Sequence, residues 1–462
     1  MKLYDHQAEA IEGIRALCRQ GARRVLLQLP TGGGKTVILA HLTAGAMAKG
    51  NRSLVLVHRR ELLDQASDTL RRLGVPHGLI VAGRGMELAL PVQVASIETV
   101  RRRLGRLPSD LFQFVMVDEA HHACSRTWRE VLGHWPGATV LGVTATPARL
   151  DGRGLGEQFE AMVRGQSPAW LTEHGYLATA RVFAPPLGFT TEGLRRWMGD
   201  YSPAQAAARL NSRRQMGDAI GHYRRLLEGR TAVAFCCSVA HAEQVAEAFA
   251  AAGIAAASID GRMDVATRRG LLQALGSGEV KVLTSCSLIG EGIDVPSVGG
   301  CILLRPTASL ALHLQMIGRC LRPGHGDAVV LDHVGNVERL GHHLDEQDWT
   351  LEGVRRRDRN AAPSVKTCPR CFSAVGSRFL TCPNCGFEWP PPTPRAALEQ
   401  VEGELREVER RERMRNRRQE QAAARSYGDL VALGHARGHR NPEGWARHVL
   451  ASRSVRAGRS RS

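Results

Sequence analysis

Long apolar runs and aromatic side chains are both scarce in this sequence of 462 residues. No run of about 18 apolar residues occurs, so the sequence contains no candidate for a membrane-spanning helix. Residues 1–7 also lack the apolar core of a secretory signal, and we therefore expect a cytoplasmic protein without membrane contact. Aromatic residues make up 5% of the chain, but apolar residues together reach 43%. This length and composition suit two to four domains, each with its own hydrophobic core.

Acidic residues are fewer than basic residues in this chain. The chain has 62 Lys and Arg against 45 Asp and Glu, which gives a formal net charge of +17. The excess is uneven, because residues 351–462 contain 23 Lys and Arg against 12 Asp and Glu, so +11 of the +17 lies in this last quarter. Such an asymmetry favours a polyanionic partner, most simply nucleic acid. The alternative is a basic surface that only keeps the protein in solution.

Short apolar runs alternate with amphipathic segments in two regions of the chain. The predicted strands are 25–29, 53–57, 92–96, 114–118 and 138–144 in the first region, and 232–236, 256–260, 281–285, 300–304 and 328–332 in the second. The predicted helices include 37–47, 59–73, 239–252, 265–275 and 309–318. This alternation predicts parallel sheets covered by helices on both faces. The fold class is therefore α/β, with two such domains in tandem.

Changes in composition suggest where these domains begin and end. A basic run at 355–359 and a proline-rich stretch at 390–394 separate the second α/β region from the C-terminal part of the chain. We predict these divisions: 1–165, the first α/β domain; 166–230, a connector with an accessory hairpin or helix; 231–348, the second α/β domain; 349–394, a basic linker and a cysteine-rich module; 395–462, a charged helix and a basic tail.

A glycine-rich loop comes after the first predicted strand, Leu-Pro-Thr-Gly-Gly-Gly-Lys-Thr at 29–36. Strand, glycine loop and helix together form a phosphate-binding unit, because backbone N–H groups point at the anion without Cβ clashes. The residues expected to contact the nucleotide here are Thr31, Gly32, Gly33, Gly34, Lys35 and Thr36. Lys35 adds a charge on the β- and γ-phosphates and Thr36 a hydroxyl ligand for Mg²⁺. The full pattern has glycine where this chain has Leu29, so a simple glycine-rich turn is the alternative.

Two adjacent carboxylates close the strand predicted at 114–118. Asp118 at the carboxyl end of a parallel strand, beside a phosphate loop, lies where Mg²⁺ is held. Glu119 is placed to orient and deprotonate an attacking water. The second α/β region has no glycine-rich loop, so the first domain is expected to bind the nucleotide.

Asp118-Glu119-Ala120-His121 after this strand, downstream of the phosphate loop, resembles the DEAH box of superfamily 2 helicases. The resemblance extends from about residue 3 to 333 and implies two tandem RecA-like domains, ATP hydrolysis and movement on nucleic acid. It assigns Gln7 to adenine, although Tyr4 and His6 replace the usual preceding residues. In the first domain it also implies a catalytic role for His121, and it implies that Thr144 and Thr146 couple hydrolysis to domain movement. The residues that it assigns to nucleic-acid contact are His58, Arg59, Arg60, Ser96 and Thr99.

The second α/β region continues the resemblance. Ser238 and Thr284 lie in segments that resemble those gripping the nucleic-acid backbone, and Gly292 and Asp294 fall in a segment that resembles the fifth helicase motif. Gln315-Met316-Ile317-Gly318-Arg319-Cys320-Leu321-Arg322 matches the sixth. If the helix at 309–318 forms, Gln315, Arg319 and Arg322 share one face. The two arginines are then expected to reach the γ-phosphate across the domain gap as arginine fingers.

Four of the eleven cysteines form two Cys-x-x-Cys pairs, Cys368 with Cys371 and Cys382 with Cys385. Four thiolates at this spacing predict a closed, structural Zn²⁺ site that folds a segment too short to bury a core. Basic and aromatic residues surround the pairs. They either grip phosphates and stack bases or only fill a small core, and the sequence leaves both open. Other cysteines, such as Cys236 and Cys301, lie in apolar runs and are expected to be inert.

The segment 396–425 is dense in Glu and Arg and is predicted to form a solvated helix, with contact to DNA or a protein partner as the alternative. Beyond it lies a basic tail. Taken together, the expected function is an ATP-driven DNA helicase moving 3′→5′, with ATP, Mg²⁺ and structural Zn²⁺ as cofactors and single-stranded or forked DNA as partner. The alternatives are a double-stranded DNA translocase or restriction-type motor subunit without unwinding, and a catalytically silent nucleic-acid-binding scaffold. RNA as the track is less expected.

Overall fold

The computed structural model describes residues 2–149, 152–184, 191–197, 199–210, 219–286, 298–324, 326–354 and 365–389, and parts of the segment 419–450. The chain divides into two compact units, Met1–Pro391 and Pro392–Ser462. Among the described residues, no helix has the length and apolar character needed to cross a membrane.

The helices are short to medium in length. Those whose bounds lie in the described part of the chain include α1 (Asp5–Arg19), α2 (Lys35–Ala48), α3 (Arg60–Arg72), α4 (Ile97–Arg103), α5 (Arg126–Gly133), α6 (Pro168–Glu173), α7 (Pro203–Leu210), α8 (Val239–Ala251), α9 (Val265–Ser277), α10 (Leu310–Ile317), α11 (Asn336–Leu340) and α12 (Tyr427–Ala436).

Seven parallel strands form the sheet of the first domain in the order β3-β4-β2-β5-β6-β1-β7. They are β1 (Arg24–Gln28), β2 (Ser53–Val57), β3 (His77–Ile80), β4 (Val92–Ser96), β5 (Phe114–Asp118), β6 (Thr139–Thr144) and β7 (Ala161–Arg164). Inner strands such as β2 are buried along their whole length, because helices cover both faces of the sheet. The two edge strands, β3 and β7, are absent from the predicted set; each is four residues long and only partly buried.

Six parallel strands form the second sheet in the order β12-β13-β11-β14-β15-β8. They are β8 (Ala180–Phe183), β11 (Ala232–Phe235), β12 (Ala256–Ile259), β13 (Val282–Ser285), β14 (Gly300–Leu303) and β15 (Ala328–Asp332). The edge strand β8 comes from the segment predicted as a connector. That segment also contains α6, the hairpin of β9 (Arg196–Trp197) with β10 (Asp200–Tyr201), and α7. Two parallel-sheet α/β domains in tandem confirm the predicted fold class.

After the second sheet the chain returns to the first domain through residues 341–354, here called the return segment. Its strands β16 (Trp349–Thr350) and β17 (Gly353–Val354) pair with each other. The N–H groups of Gly154 and Gly156 donate to carbonyls of the return segment at 3.0 and 2.8 Å. A Cβ at Gly154 would collide with the backbone of Leu351, so glycine is required at this crossing. The two domains are therefore connected twice by the chain.

The four-cysteine module packs on the second domain. Its strands β18 (Val365–Thr367) and β19 (Ala374–Gly376) are antiparallel. The N–H of Ala184, just past β8, donates to the carbonyl of Phe372 at 3.0 Å, and Val365 and Ala374 are buried in the second-domain core. The module thus covers strand β8, at the edge of the second sheet.

The C-terminal unit contains a small helical core. Ser426 caps α12, with its side chain accepting from the N–H of Asp429 at 3.0 Å. Leu430, Ala446 and Val449 form the buried cluster of this unit. The charged helix predicted at 396–425 lies mostly outside the described residues.

Candidate functional site

The glycine loop connects β1 to α2 and has the conformation of an anion site. Gly32 and Gly34 adopt left-handed φ values of 88° and 89°, and Gly34 is the N-cap of α2. The N–H groups of this helix end and the helix dipole both favour a phosphate. Leu29, which occupies the position of the missing glycine, is fully buried, and a Cβ at Gly33 would lie 2.7 Å from its Cγ. Leu29 therefore packs beneath the loop.

Gln7, at the start of α1, lies against this loop. Its Nε2 donates to the carbonyl of Gly33 at 3.4 Å, and its Oε1 accepts from the N–H of Tyr4 at 3.1 Å. The imidazole of His6 also lies 3.3 Å from the Gly33 carbonyl. The ring of Tyr4 is 57% exposed and lies 4.9 Å from that of Tyr176. A polar residue and an exposed aromatic ring thus stand beside the phosphate loop, as a nucleobase site requires.

The paired carboxylates lie at the carboxyl end of β5, close to Lys35. Burial, with the negative charge of Glu119 beside it, raises the pKa of Asp118 to about 6. Burial acts in the same direction on Glu119, but its hydrogen bond with His121 and the charge of Lys35 outweigh it and lower the pKa of Glu119 to about 2. Burial also lowers the pKa of Lys35, against the attraction of both carboxylates. The four groups form one electrostatic unit.

The donor set at this place fits Mg²⁺. Asp118 and the half-buried Thr36 line the same small cavity, so a carboxylate and a hydroxyl are neighbours there. Both offer hard oxygen ligands, and Mg²⁺ takes one or two such protein ligands together with substrate phosphates. Burial and the neighbouring Glu119 carboxylate raise the pKa of Asp118, and a cation bound beside it would favour the ionised form.

His121 connects the carboxylates to the segment after β6. Its Nδ1 lies 3.3 Å from Glu119 Oε2 and 3.3 Å from Thr144 Oγ1. The Thr144 hydroxyl donates to the carbonyl of Thr146 at 3.1 Å and accepts from its N–H at 3.2 Å. Thr144 and Thr146 are both almost fully buried. Polar contacts therefore lead from Glu119 through His121 and Thr144 to the loop that faces the second domain.

The two arginines of the second domain follow helix α10 in the chain and are not part of it. Helix α10 ends at Ile317, and 318–320 form a turn, so Gln315 lies within the helix whereas Arg319 and Arg322 come after it. The predicted helix is therefore present, but the expected helical face does not extend to the two arginines, because the helix ends at Ile317 with Gly318 as its C-cap. Both arginines still act on Lys35, because their positive charges contribute to lowering its pKa. Arg319 is buried, with 7% of its surface exposed.

The two domains touch beside the phosphate loop. A Cβ at Gly318 would lie 2.7 Å from the Cβ of Thr31, so the turn of the second domain packs directly on the loop of the first. A second contact joins α3 and α9, where Arg268 Nη2 lies 2.9 Å from Glu61 Oε1. Neither Glu61 nor Arg268 is among the predicted site residues, because no sequence pattern distinguishes them from a surface ion pair.

The residues predicted to contact nucleic acid lie where strands end. His58 and Arg59 come directly after β2, Arg60 begins α3, Ser96 ends β4 and Thr99 lies in α4. Carboxyl ends of parallel strands meet at one edge of a sheet, so these residues share one side of the first domain.

In the second domain, two of the predicted contact residues have structural partners. The Ser238 hydroxyl caps α8 by accepting from the N–H of His241 at 3.1 Å. Thr284 is fully buried and donates to the carbonyl of Ala242 at 2.7 Å. The Thr284 hydroxyl therefore stabilises the domain interior. It is turned away from the surface, where a nucleic-acid strand would bind. Gly292 and Asp294 lie outside the described residues.

The four cysteine sulfurs form a compact cluster, all within 4.8 Å of one another. The Sγ atoms of Cys368 and Cys385 are 3.6 Å apart, and those of Cys371 and Cys382 are 3.7 Å apart. A tetrahedral Zn²⁺ with Zn–S bonds of about 2.3 Å places its sulfurs about 3.8 Å apart. The cluster therefore fits Zn²⁺, and the side-chain amide of Asn384 donates to Cys371 Sγ at 3.4 Å as an outer partner.

The aromatic residues of this module divide into two groups. The ring centroids of Trp389 and Phe387 are 5.6 Å apart, and the ammonium of Lys366 lies 3.8 Å from the centroid of the Trp389 ring. Phe379 and Leu380 are instead 39% and 70% exposed, with Arg378 above the Phe379 ring. The first group is partly buried by its own ring and cation contacts, while the second leaves an apolar tip beside a positive charge.

Comparison with known proteins shows which families the chain resembles. Residues 1–149 match the family model described as "Type III restriction enzyme, res subunit", and residues 218–324 match "Helicase conserved C-terminal domain". The chain is 30% identical over 368 residues to the 51.5 kDa protein of Lactococcus phage (isolate 7-9), covering 79% of this chain and 78% of the phage protein. It is 28% identical over 359 residues to "Putative ATP-dependent helicase IRC3" of Saccharomyces cerevisiae (strain ATCC 204508 / S288c), covering 73% of this chain and 51% of the yeast protein.

Solved structures share the fold. A fragment assigned to the HsdR subunit of a type I restriction enzyme from Vibrio vulnificus YJ016 superposes with a TM-score of 0.59 at 21% identity, covering 73% of this chain and 65% of that one. The restriction-modification enzyme LlaBIII bound to DNA superposes with a TM-score of 0.52 at 18% identity, covering 72% of this chain and 28% of that one. The chain thus spans less than two thirds of each of these two solved chains and about half of the yeast relative.

Proposed function

The chain belongs to superfamily 2 of the helicases, and from this premise we propose that it is a DNA helicase that moves 3′→5′ while hydrolysing Mg-ATP between its two domains. At the level of the family it is an ATP-dependent nucleic-acid motor. One observation carries the proposal. Gly318 of the second domain, which adjoins Arg319, packs against Thr31 of the phosphate loop in the first domain, which supports a nucleotide site made by both domains.

In this proposal, the first domain binds and orients ATP. The loop N–H groups of Gly32, Gly33 and Gly34 and the charge of Lys35 hold the phosphates. Gln7 contacts the adenine, with Tyr4 available to stack on it. Thr36 and Asp118 hold Mg²⁺, which neutralises the charge developing on the phosphates. Glu119 is ionised at neutral pH and accepts a hydrogen bond from the attacking water.

The second domain completes the site in the same proposal. The guanidinium groups of Arg319 and Arg322 stabilise the charge on the transferred phosphoryl group, with Gln315 beside them on α10. Because Gly318 contacts Thr31, the second domain packs directly against the phosphate loop. The path from Glu119 through His121 to Thr144 and Thr146 connects the state of the γ-phosphate to the domain interface. ATP binding then closes the cleft and hydrolysis opens it.

The nucleic acid is proposed to cross the carboxyl ends of the strands in both domains, contacting His58, Arg59, Arg60, Ser96 and Thr99. DNA is favoured over RNA because LlaBIII and the helicase MrfA, which share the fold, were solved bound to DNA, although the RNA-bound Dbp5 shares it too. The Zn²⁺ module and the basic C-terminal unit are proposed as further contacts, the latter also for a protein partner.

A double-stranded DNA translocase is the second candidate. It is favoured by the match to a restriction-enzyme subunit and by the likeness to the HsdR fragment. A silent scaffold is less compatible with the sequence, because the groups needed for hydrolysis, Lys35, Glu119, Arg319 and Arg322, are all present.

Parallel ATPase rates with single-stranded, duplex and forked DNA and with RNA test the proposal. Forked-duplex opening is measured beside triplex displacement on the same preparation. The helicase proposal expects stimulation by single-stranded or forked DNA together with fork opening. Displacement of triplex without fork opening would identify the translocase instead, and stimulation by RNA alone would reject DNA as the track.

A further inference from the structure

A cavity of about 270 Å³ lies between the two domains, beside the phosphate loop. Pro30, Thr31 and Thr146 line it from the first domain, Leu314 and Leu321 from the second, and Trp349 from the return segment. Its size is near the lower limit of small-molecule sites, which suits one ring or two fused rings rather than a nucleotide.

Two buried polar groups that line the cavity lack partners within the described part of the chain. His343 is 3% exposed, and neither ring nitrogen has a hydrogen-bond partner there. Thr146 is 1% exposed, and its Oγ1 also makes no hydrogen bond there. Burying such groups without a hydrogen bond is unfavourable, so both are available to a ligand that offers a donor and an acceptor.

The charge and protonation of the lining define the class of ligand. Burial keeps the pKa of His343 well below its usual value, so its neutral ring offers one N–H donor and one acceptor at pH 7. Arg164 is paired with Asp348 at 3.0 Å, whereas Asp345 and Glu346 also line the cavity. Carboxylates in the lining disfavour an anion, and the leucines and Trp349 favour a flat apolar body.

We propose that this cavity binds a small uncharged heteroaromatic molecule that hydrogen-bonds to His343 and Thr146 and holds the two domains at their present separation. Leu314, Gly318 and Leu321 face the cavity, while the interleaved Gln315, Arg319 and Arg322 belong to the proposed nucleotide site. A ligand that contacts both domains stabilises this arrangement over any other. It therefore lowers the rate of ATP turnover without competing with ATP; this consequence rests on the proposed motor function, whereas binding itself does not.

Benzimidazole is a suitable probe, because its neutral bicyclic ring has one N–H donor and one acceptor nitrogen. We expect millimolar binding to the full chain by ligand-observed NMR, as is usual for a fragment of about nine atoms, and density for it in this cavity after crystal soaking. His343→Phe keeps the ring but removes both nitrogens and is expected to weaken binding about tenfold. His342→Phe, a change at the adjacent half-buried histidine, is the matched control and should leave binding unchanged.

Thr146→Val provides a second test that does not depend on the folding of His343→Phe, because it removes only the unpaired hydroxyl and should also weaken binding. Benzoate, of similar shape but anionic, should not bind. Ordered water alone in the soaked cavity, equal binding by the His343→Phe variant, or equal binding of benzoate would overturn the proposal. Inhibition that ATP relieves by competition would overturn its regulatory part, while a protein that binds benzimidazole but hydrolyses no ATP would refute the proposed function alone.

Discussion

Arg268 Nη2 lies 2.9 Å from Glu61 Oε1 and joins α9 of the second domain to α3 of the first. The side chains are 15% and 22% exposed, so solvent screens this pair less than the ion pairs on the open surface. A groove of about 550 Å³ between the same two helices surrounds it. Glu61 directly follows Arg60, a proposed nucleic-acid contact. The ion pair therefore connects the proposed DNA-binding side of one domain to the other.

Loss of this ion pair should impair turnover. Arg268→Gln and Glu61→Gln should each reduce DNA-stimulated ATP hydrolysis, and their effects should not add, with a coupling free energy of about 1 kcal/mol, which is about fivefold in rate. Arg269→Gln, in the same groove but outside the pair, is the control. Steady-state rates of the single and double variants measure the coupling. Additive losses would show that the contact does not act in turnover.

Glu119→Gln should bind ATP and DNA as the wild type does but lose turnover by a factor of about 10²–10⁴, because the amide cannot accept a proton from the attacking water. Glu130→Gln, an exposed change on α5, serves as the control. A fluorescent ATP analogue measures binding, and phosphate release measures turnover. Unchanged release in the Glu119→Gln variant would reject the assignment of this carboxylate.

Arg319→Ala should lower the maximal ATPase rate by about 10³, with a smaller effect on the concentration of ATP needed for half-maximal rate, since an arginine finger acts mainly in the transition state. Arg129→Ala, on the exposed side of α5, is the comparison variant. A change confined to apparent ATP affinity would mean that Arg319 contributes to binding but not to catalysis.

Cys382→Ser should lose Zn²⁺, since three thiolates cannot close the tetrahedral site, and DNA binding should weaken with a smaller dependence on salt. Metal analysis of the purified protein is expected to give one zinc per wild-type chain. Cys18→Ser, at a half-buried thiol far from the cluster in sequence, should keep its zinc. Full metal content in the Cys382→Ser variant would contradict the four-sulfur site.

Acid should destabilise the second domain through its buried histidines. Burial lowers the pKa of His241 and of His313 to about 4, and burial with the nearby His222 lowers that of His333 to about 3. Unfolding returns each group to a pKa near 6.5, so the unfolded chain binds more protons below that pH. The free energy of unfolding should therefore fall as pH decreases from about 6.5 to 4, by up to about 1.4 kcal/mol per pH unit for each histidine.

His333→Phe tests this pH dependence with a side chain of similar shape. It should reduce the slope of the unfolding free energy against pH by the contribution of one histidine. Denaturant titrations between about pH 7 and pH 5 measure this slope. His134→Phe, in the first domain, is the control and should leave the slope of the second-domain transition unchanged. An unaltered slope in the His333→Phe variant would show that His333 is not buried in neutral form.

Inner strands and phosphate loop were predictable because their signals are local. The run at 53–57 is apolar and buried on both faces, so its strand formed within the predicted bounds. The edge strands β3 and β7 carry weaker patterns, since one side of each faces solvent or loops. Strand β8 was assigned to a connector because its place beside β15 depends on pairing with residues that come much later in the chain. The helix predicted at 309–318 forms as Leu310–Ile317 with Ser309 and Gly318 as its caps, but its packing against Thr31 depends on the other domain.

The sequence by itself determined the two α/β domains, the glycine loop with Lys35, the carboxylates Asp118 and Glu119, and the four cysteines, because each depends on residue type and short spacing. Only the tertiary structure decided how the chain crosses between domains. The return segment over Gly154, the pair of Glu61 with Arg268 and the cavity lined by His343 join residues far apart in sequence. No local pattern encodes such contacts, because they arise when two separately folded domains are packed together.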